Sequence, residues 1–187
     1  MILVNLASSK LARISMIAIL ITILASCSSV PLSAMYKMAS MDKDDIRTIN
    51  PREILTRITV DEPTELQTRN VKLVLKFEYT GSEASEYQFL LEFLSNNTFQ
   101  ERQGWFGPLI NKSQYEFKLA ERSVSVFKKY QREFIKYGKP NKYYWTVYYY
   151  LEKRPPKTQK AHLDLELKMA SEDDYFYLLK DAELTVE

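Results

Sequence analysis

The stretch Val71-Lys72-Leu73-Val74-Leu75-Lys76-Phe77-Glu78-Tyr79 decides the fold. Apolar residues at 71, 73, 75, 77 and 79 alternate with Lys72, Lys76 and Glu78, the two-residue period of a half-buried antiparallel strand. Thr80-Gly81-Ser82 turns the chain. Tyr87, Phe89, Leu91 and Phe93 then alternate with Glu86, Gln88 and Glu92, which completes a hairpin. Ser95-Asn96-Asn97, poor in strand formers, reads as the break at its end.

The same period recurs on both sides. Ile54 to Val60 is a short strand ended by Asp61-Glu62-Pro63, and Tyr115, Phe117 and Leu119 alternate with Gln114, Glu116 and Lys118 in another. The period then turns helical. Val126, Phe127, Tyr130, Phe134 and Tyr137 recur every three or four residues, with Ser123 as the expected N-cap and Gly138 and Pro140 as the stop. Three strands follow: Tyr143 to Lys153, then Leu163 to Met169, then Tyr175 to Val186 with an interruption at Lys180-Asp181. The order ββββαβββ lacks strand–helix alternation, so a parallel sheet is not expected. The fold class is α+β and mostly antiparallel β, a sandwich or sheet of about seven strands with one helix, over residues 51–187.

Ahead of this domain, residues 27–50 read as a tether that docks. Val30-Pro31-Leu32-Ser33 starts extended because proline disfavours helix before it. Met35, Met38 and Met41 recur every third residue, which suits a segment laying methionines on the domain or a flexible contact surface. Asp42, Asp44 and Asp45 cap a helical turn over Asp44 to Thr48. They are not a calcium loop, because Ile46 and Arg47 stand where that loop needs a ligand and a glycine.

Composition excludes several functions. Of 187 residues, 26 are Lys or Arg and 24 are Asp or Glu, so the balance of +2 offers no basic stripe for nucleic acid. One Cys and one His leave no disulfide framework and no metal centre built on several histidines or cysteines, and no cofactor is expected.

The N-terminus reads as an address. Residues 1–26 carry Lys10 and Arg13 and no acid, followed by an apolar run from Ile14 to Ala25. Those 12 residues reach about 18 Å as a helix, short of a bilayer core and suited to a signal peptide. The run ends in Leu24-Ala25-Ser26-Cys27, which resembles the lipobox of bacterial lipoprotein precursors. That resemblance implies cleavage before Cys27, a diacylglycerol on its sulfur and an acyl chain such as palmitate on its amine, an anchor that holds a domain on a membrane. Ser28, standing where an Asp signals inner-membrane retention in Gram-negative lipoproteins, implies an outer-membrane protein facing the periplasm. The mature chain keeps 24 charges of each sign, so attraction to anionic lipid does not place it. Val30-Pro31-Leu32-Ser33-Ala34-Met35 and the element order also resemble uncharacterised proteobacterial lipoproteins, which brings no activity with it. The small β-sandwich lipoprotein of type VI secretion agrees in size and strand content, but none of its motifs is present.

Catalytic patterns are missing: there is no G-x-S-x-G, H-E-x-x-H or P-loop. His162 falls on the polar parity of its strand and reads as a solvated histidine without partners; Asp164 and Glu166 read as a wet face. The chain is therefore expected not to be an enzyme. Two features suit binding. Gln103 to Ile110 is a loop with an apolar tip at Trp105 and Phe106, which either docks on a partner, a glycan or the membrane, or folds back to plug the core. In the run Tyr143 to Leu151, odd positions make a core face. Even positions present Tyr144, Tyr148 and Tyr150, which either contact a ligand or lie under the helix. The expected role is a non-catalytic, lipid-anchored protein binding a protein partner in the envelope. The alternative is a module for a small ligand or glycan.

Overall fold

The computed structural model describes residues 31–184, apart from 80, 82–83, 104–105, 157 and 159 and the side chains of 34, 35, 38, 39, 143 and 145. The signal segment, Cys27, Trp105 and the last residues of the final strand expected to reach Val186 lie outside the described residues, as do the side chains of Met35 and Met38.

The elements run α1 (Leu32–Ser40), α2 (Lys43–Thr48), β1 (Leu55–Asp61), β2 (Glu65–Glu78), β3 (Ser85–Arg102), β4 (Leu109–Leu119), α3 (Glu121–Tyr137), β5 (Lys142–Lys153), β6 (His162–Lys168) and β7 (Phe176–Glu183). The seven strands form one sheet in the order β5-β2-β3-β4-β1-β6-β7, curled into a half-barrel. Every pairing in it is antiparallel. The α+β, mostly β class is thus the observed one, with α1 and α2 as short additions to the long helix.

Period-two patterning becomes burial directly. Ile58 of β1 pairs with Tyr115 of β4 and Leu165 of β6, all buried on the inner face, while Arg57 pairs with Glu116 and Glu166 on the outer face. The α3 helix lies on that inner face. Its Tyr130 ring packs 5.8 Å from Phe77 and 5.8 Å from Tyr87, and Phe127 sits 5.7 Å from Phe89. Burying each such ring contributes about 1.5–3 kcal/mol, so this aromatic layer holds the helix to the sheet. Gly138, at φ 83, ends α3 in a backbone region that favours glycine, and its N–H donates to the Phe134 carbonyl.

Ser123 is not the N-cap: the helix starts two residues earlier, behind Ala120. The buried Ser123 hydroxyl instead ties α3 to β3, accepting from Leu90 N–H at 2.7 Å and donating to Leu90 O at 3.2 Å. The expected break at Ser95-Asn96-Asn97 is also absent. β3 passes through it with one register shift between Phe93 and Ser95, because Asn96 and Asn97 pair with Tyr115 and Gln114 of a β4 that starts earlier than expected. Cross-strand pairing outweighs the weak strand preference of these residues.

Leu32 and Ser33, expected extended, belong to α1, which packs beside β7. Lys37 Nζ lies 3.6 Å from Asp173 and 4.7 Å from the Phe176 ring centre. The Asp42 cap forms as expected: its carboxylate accepts the Asp44 and Asp45 amides, and Asp45 accepts the Asp42 amide in return. Those amides hold the Asp42 carboxyl below its ordinary value.

Candidate functional site

The outer face of the sheet carries two features, one at each side. The first is the tyrosine face on β5. Tyr144, Tyr148 and Tyr150 are 47, 49 and 60% exposed. The expectation that the helix lies over them is overturned: α3 packs on the inner face, against Phe77, Tyr87 and Phe89. Parity explains this, because the residues of β5 packed against the core are the odd ones, Val147, Tyr149 and Leu151.

Local geometry turns part of that face into a groove. β2 pairs Gln67 with Tyr150 and Lys72 with Tyr148, so four residues of β2 bulge opposite one of β5. Asn70, at φ 63, makes the bend in a region where asparagine is tolerated. The resulting cavity of about 350 Å³ is lined by Gln67, Asn70, Lys72, Leu90, Tyr148 and Tyr150. Its lining combines two tyrosine rings and a leucine with two amides and one ammonium, a set able to stack on a ring or chain and to hydrogen-bond its edge. Tyr144 stands outside this groove, opposite Lys76.

The second feature is a charged well of about 310 Å³ where β1, β4, β6 and β7 meet the end of β3. Lys112 Nζ lies 2.8 Å from Glu101, 3.5 Å from Asp164 and 3.8 Å from Asp61. Burial opposes the Lys112 charge, but these carboxylates outweigh it and hold the ammonium above its ordinary value. Asp61, 5% exposed in its side chain, accepts from the His162 backbone N–H at 3.0 Å and meets His162 Nδ1 at 3.0 Å. His162 is therefore not a solvated histidine without partners. Its ring is largely buried, because Asp61 at the end of β1 comes beside the start of β6.

Asp164 and Glu166 correct the wet-face reading in the same way. The Asp164 side chain is 13% exposed and accepts the Asp181 amide at 2.7 Å. That amide is aimed by the expected interruption of β7, where Asp181 adopts φ 53 and the register shifts. Burial pushes the Glu166 carboxyl up, with Arg57 opposing. The two acids share one face of β6, and the Asp164 charge adds to the upward push on the Glu166 carboxyl. No group of His, Cys, Asp and Glu among the described residues is arranged to hold a metal ion.

The hairpin tip is separate again. Gln103 N–H donates to Pro108 O, and a Cβ on Gly107 would sit 1.9 Å from the Gln103 carbonyl oxygen, so only glycine closes this turn. Phe106 is 95% exposed and Leu109 56% exposed. At Phe106 the loop does not plug the core. Of the residues singled out in the sequence, the fold brings Tyr148 and Tyr150 together, while Phe106 and Tyr144 line neither cavity. Gln67, Asn70 and Lys72, and the well around Lys112, were not singled out.

No family model, curated protein or solved structure matches the chain.

Proposed function

We propose that this chain is a non-catalytic lipoprotein of a bacterial envelope, anchored through lipid on Cys27 to the outer membrane and facing the periplasm. Its outer tyrosine face binds a protein partner. One observation carries the reading: Tyr144, Tyr148 and Tyr150 stand in a row on a sheet face that α3 leaves open. Rigid, amphipathic rings at low entropy cost are what protein-binding surfaces favour. The exposed Phe106 at the hairpin tip offers a second apolar contact.

Anchoring rests on the sequence: the short apolar run and Leu24-Ala25-Ser26-Cys27 resemble lipoprotein precursors. Among the described residues no helix is long and apolar enough to cross a membrane. The non-catalytic reading rests on the sequence, which carries no G-x-S-x-G, H-E-x-x-H or P-loop pattern. The groove of about 350 Å³, lined in part by Gln67, Asn70 and Lys72, favours a glycan as the second reading. Crosslinking in cells carrying Tyr148→Ala and Tyr150→Ala separates the two. Lost protein neighbours support a protein partner; retained neighbours with lost glycan retention support the glycan.

A further inference from the structure

The two edges of the sheet are treated differently. β7, at one edge, is short, is broken by the bulge at Lys180-Asp181, and has α1 packed beside it. Charges, bulges and covering elements are how sheets avoid pairing with other chains. β5, at the other edge, has 12 residues, and among the described residues it pairs with β2 alone. From Tyr143 to Leu151 it holds no charge, no proline and no glycine. Charges stand only at its ends, Lys142 on one side and Glu152 with Lys153 on the other.

We infer that a second copy of this chain pairs antiparallel along β5, about a two-fold axis at Val147, joining two sheets into one. A two-fold axis makes such an edge meet itself, so the strand must complement its own reverse. Centred on Val147 it does. Lys142 faces Glu152 of the other copy at both ends, Tyr144 faces Tyr150, and Thr146 faces Tyr148. Opposite charges and aromatic pairs directly across an antiparallel ladder are favourable.

Neighbouring registers lose this match. Sliding by two residues one way sets Lys142 against Arg154 and Tyr143 against Lys153; sliding the other way sets Glu152 against Pro140. A slide of one residue joins the outer face of one copy to the inner face of the other, exposing one core. In the matching register both tyrosine rows lie on the same side of the joined sheet. The pairing stands whether or not that face takes another protein.

The test uses the full chain extracted in detergent and the same chain in cells. Sedimentation should give the mass of two chains. Lys142→Glu should weaken association roughly tenfold, since it turns two attractions into two repulsions, and adding Glu152→Lys should restore it. Cells making Lys142→Cys and Glu152→Cys copies together should form a disulfide between them that neither variant, nor the parent chain with Cys27 alone, forms. A single-chain mass at every concentration overturns the inference. So does a dimer indifferent to charge reversal, or a disulfide that forms equally in the single variants.

Discussion

Lys72 Nζ lies 4.8 Å from the centre of the Tyr148 ring. It also donates to Gln88 Oε1 at 3.2 Å, so the ammonium is held over the ring from the neighbouring strand rather than swinging freely. A cation on one side of an aromatic ring fixes the ring's tilt and gives the groove a positive edge.

Truncating this surface should therefore remove binding without removing the fold. Tyr148→Ala with Tyr150→Ala should shift unfolding by no more than about 0.5 kcal/mol per site, since the two residues are 49 and 60% exposed. The same pair should lose most of the neighbours captured by crosslinking. Lys72→Met should keep the fold and weaken capture several-fold less than the double tyrosine variant. Thermal melting and quantitative capture check both.

Gln131 joins α2 to α3. Its buried side-chain amide donates to the carbonyls of Ile46 at 2.7 Å and Ile49 at 2.9 Å. Gln131→Leu leaves two carbonyls without their partner in the core, and should cost about 2–3 kcal/mol in chemical denaturation. Protease sensitivity near Asp42 to Thr48 should rise with it, because that turn loses its tie to the domain.

Thr56 offers the opposite case. Its side chain is fully buried between Phe117 and Leu167, and its hydroxyl has no hydrogen-bond partner among the described residues. Thr56→Val removes an unmet polar group at nearly constant volume. It should stabilise by about 1 kcal/mol, raising Tm by about 2–4 °C.

The well around Lys112 contributes to stability at high pH. Lys112 is held above its ordinary value, so its contribution is complete below the ordinary lysine range and is lost as pH rises through the folded-state value. The parent chain should show this loss only in strong alkali. Lys112→Met takes from Asp61, Glu101 and Asp164 the cation they share. It should cost about 2–4 kcal/mol at neutral pH. Denaturation midpoints across pH for both chains check the sign.

Local pattern made much of the fold legible. The alternation from Val71 to Tyr79, the three- and four-residue spacing from Val126 to Tyr137, Gly138 and the break at Lys180-Asp181 each act within a few residues. What stayed hidden depends on distant partners. β3 runs through Ser95-Asn96-Asn97 because β4 pairs with it there. The well draws Asp61, Lys112, His162 and Asp181 from four strands, with no short spacing to announce it. Asn70 was the available sign of the bulge beside the tyrosines, since asparagine tolerates positive φ. Tyr144, Tyr148 and Tyr150 were visible as an even-numbered row, but only the side on which α3 packs decides that they are open.

The most direct test places a photo-crosslinking amino acid at Tyr148 of the full chain in intact cells. The expected result is a covalent adduct with a different envelope protein, recovered from the outer-membrane fraction and lost when Tyr150→Ala is added. Adducts only with further copies of this chain, or none at all while the protein is folded and membrane-bound, would contradict a partner on the tyrosine face.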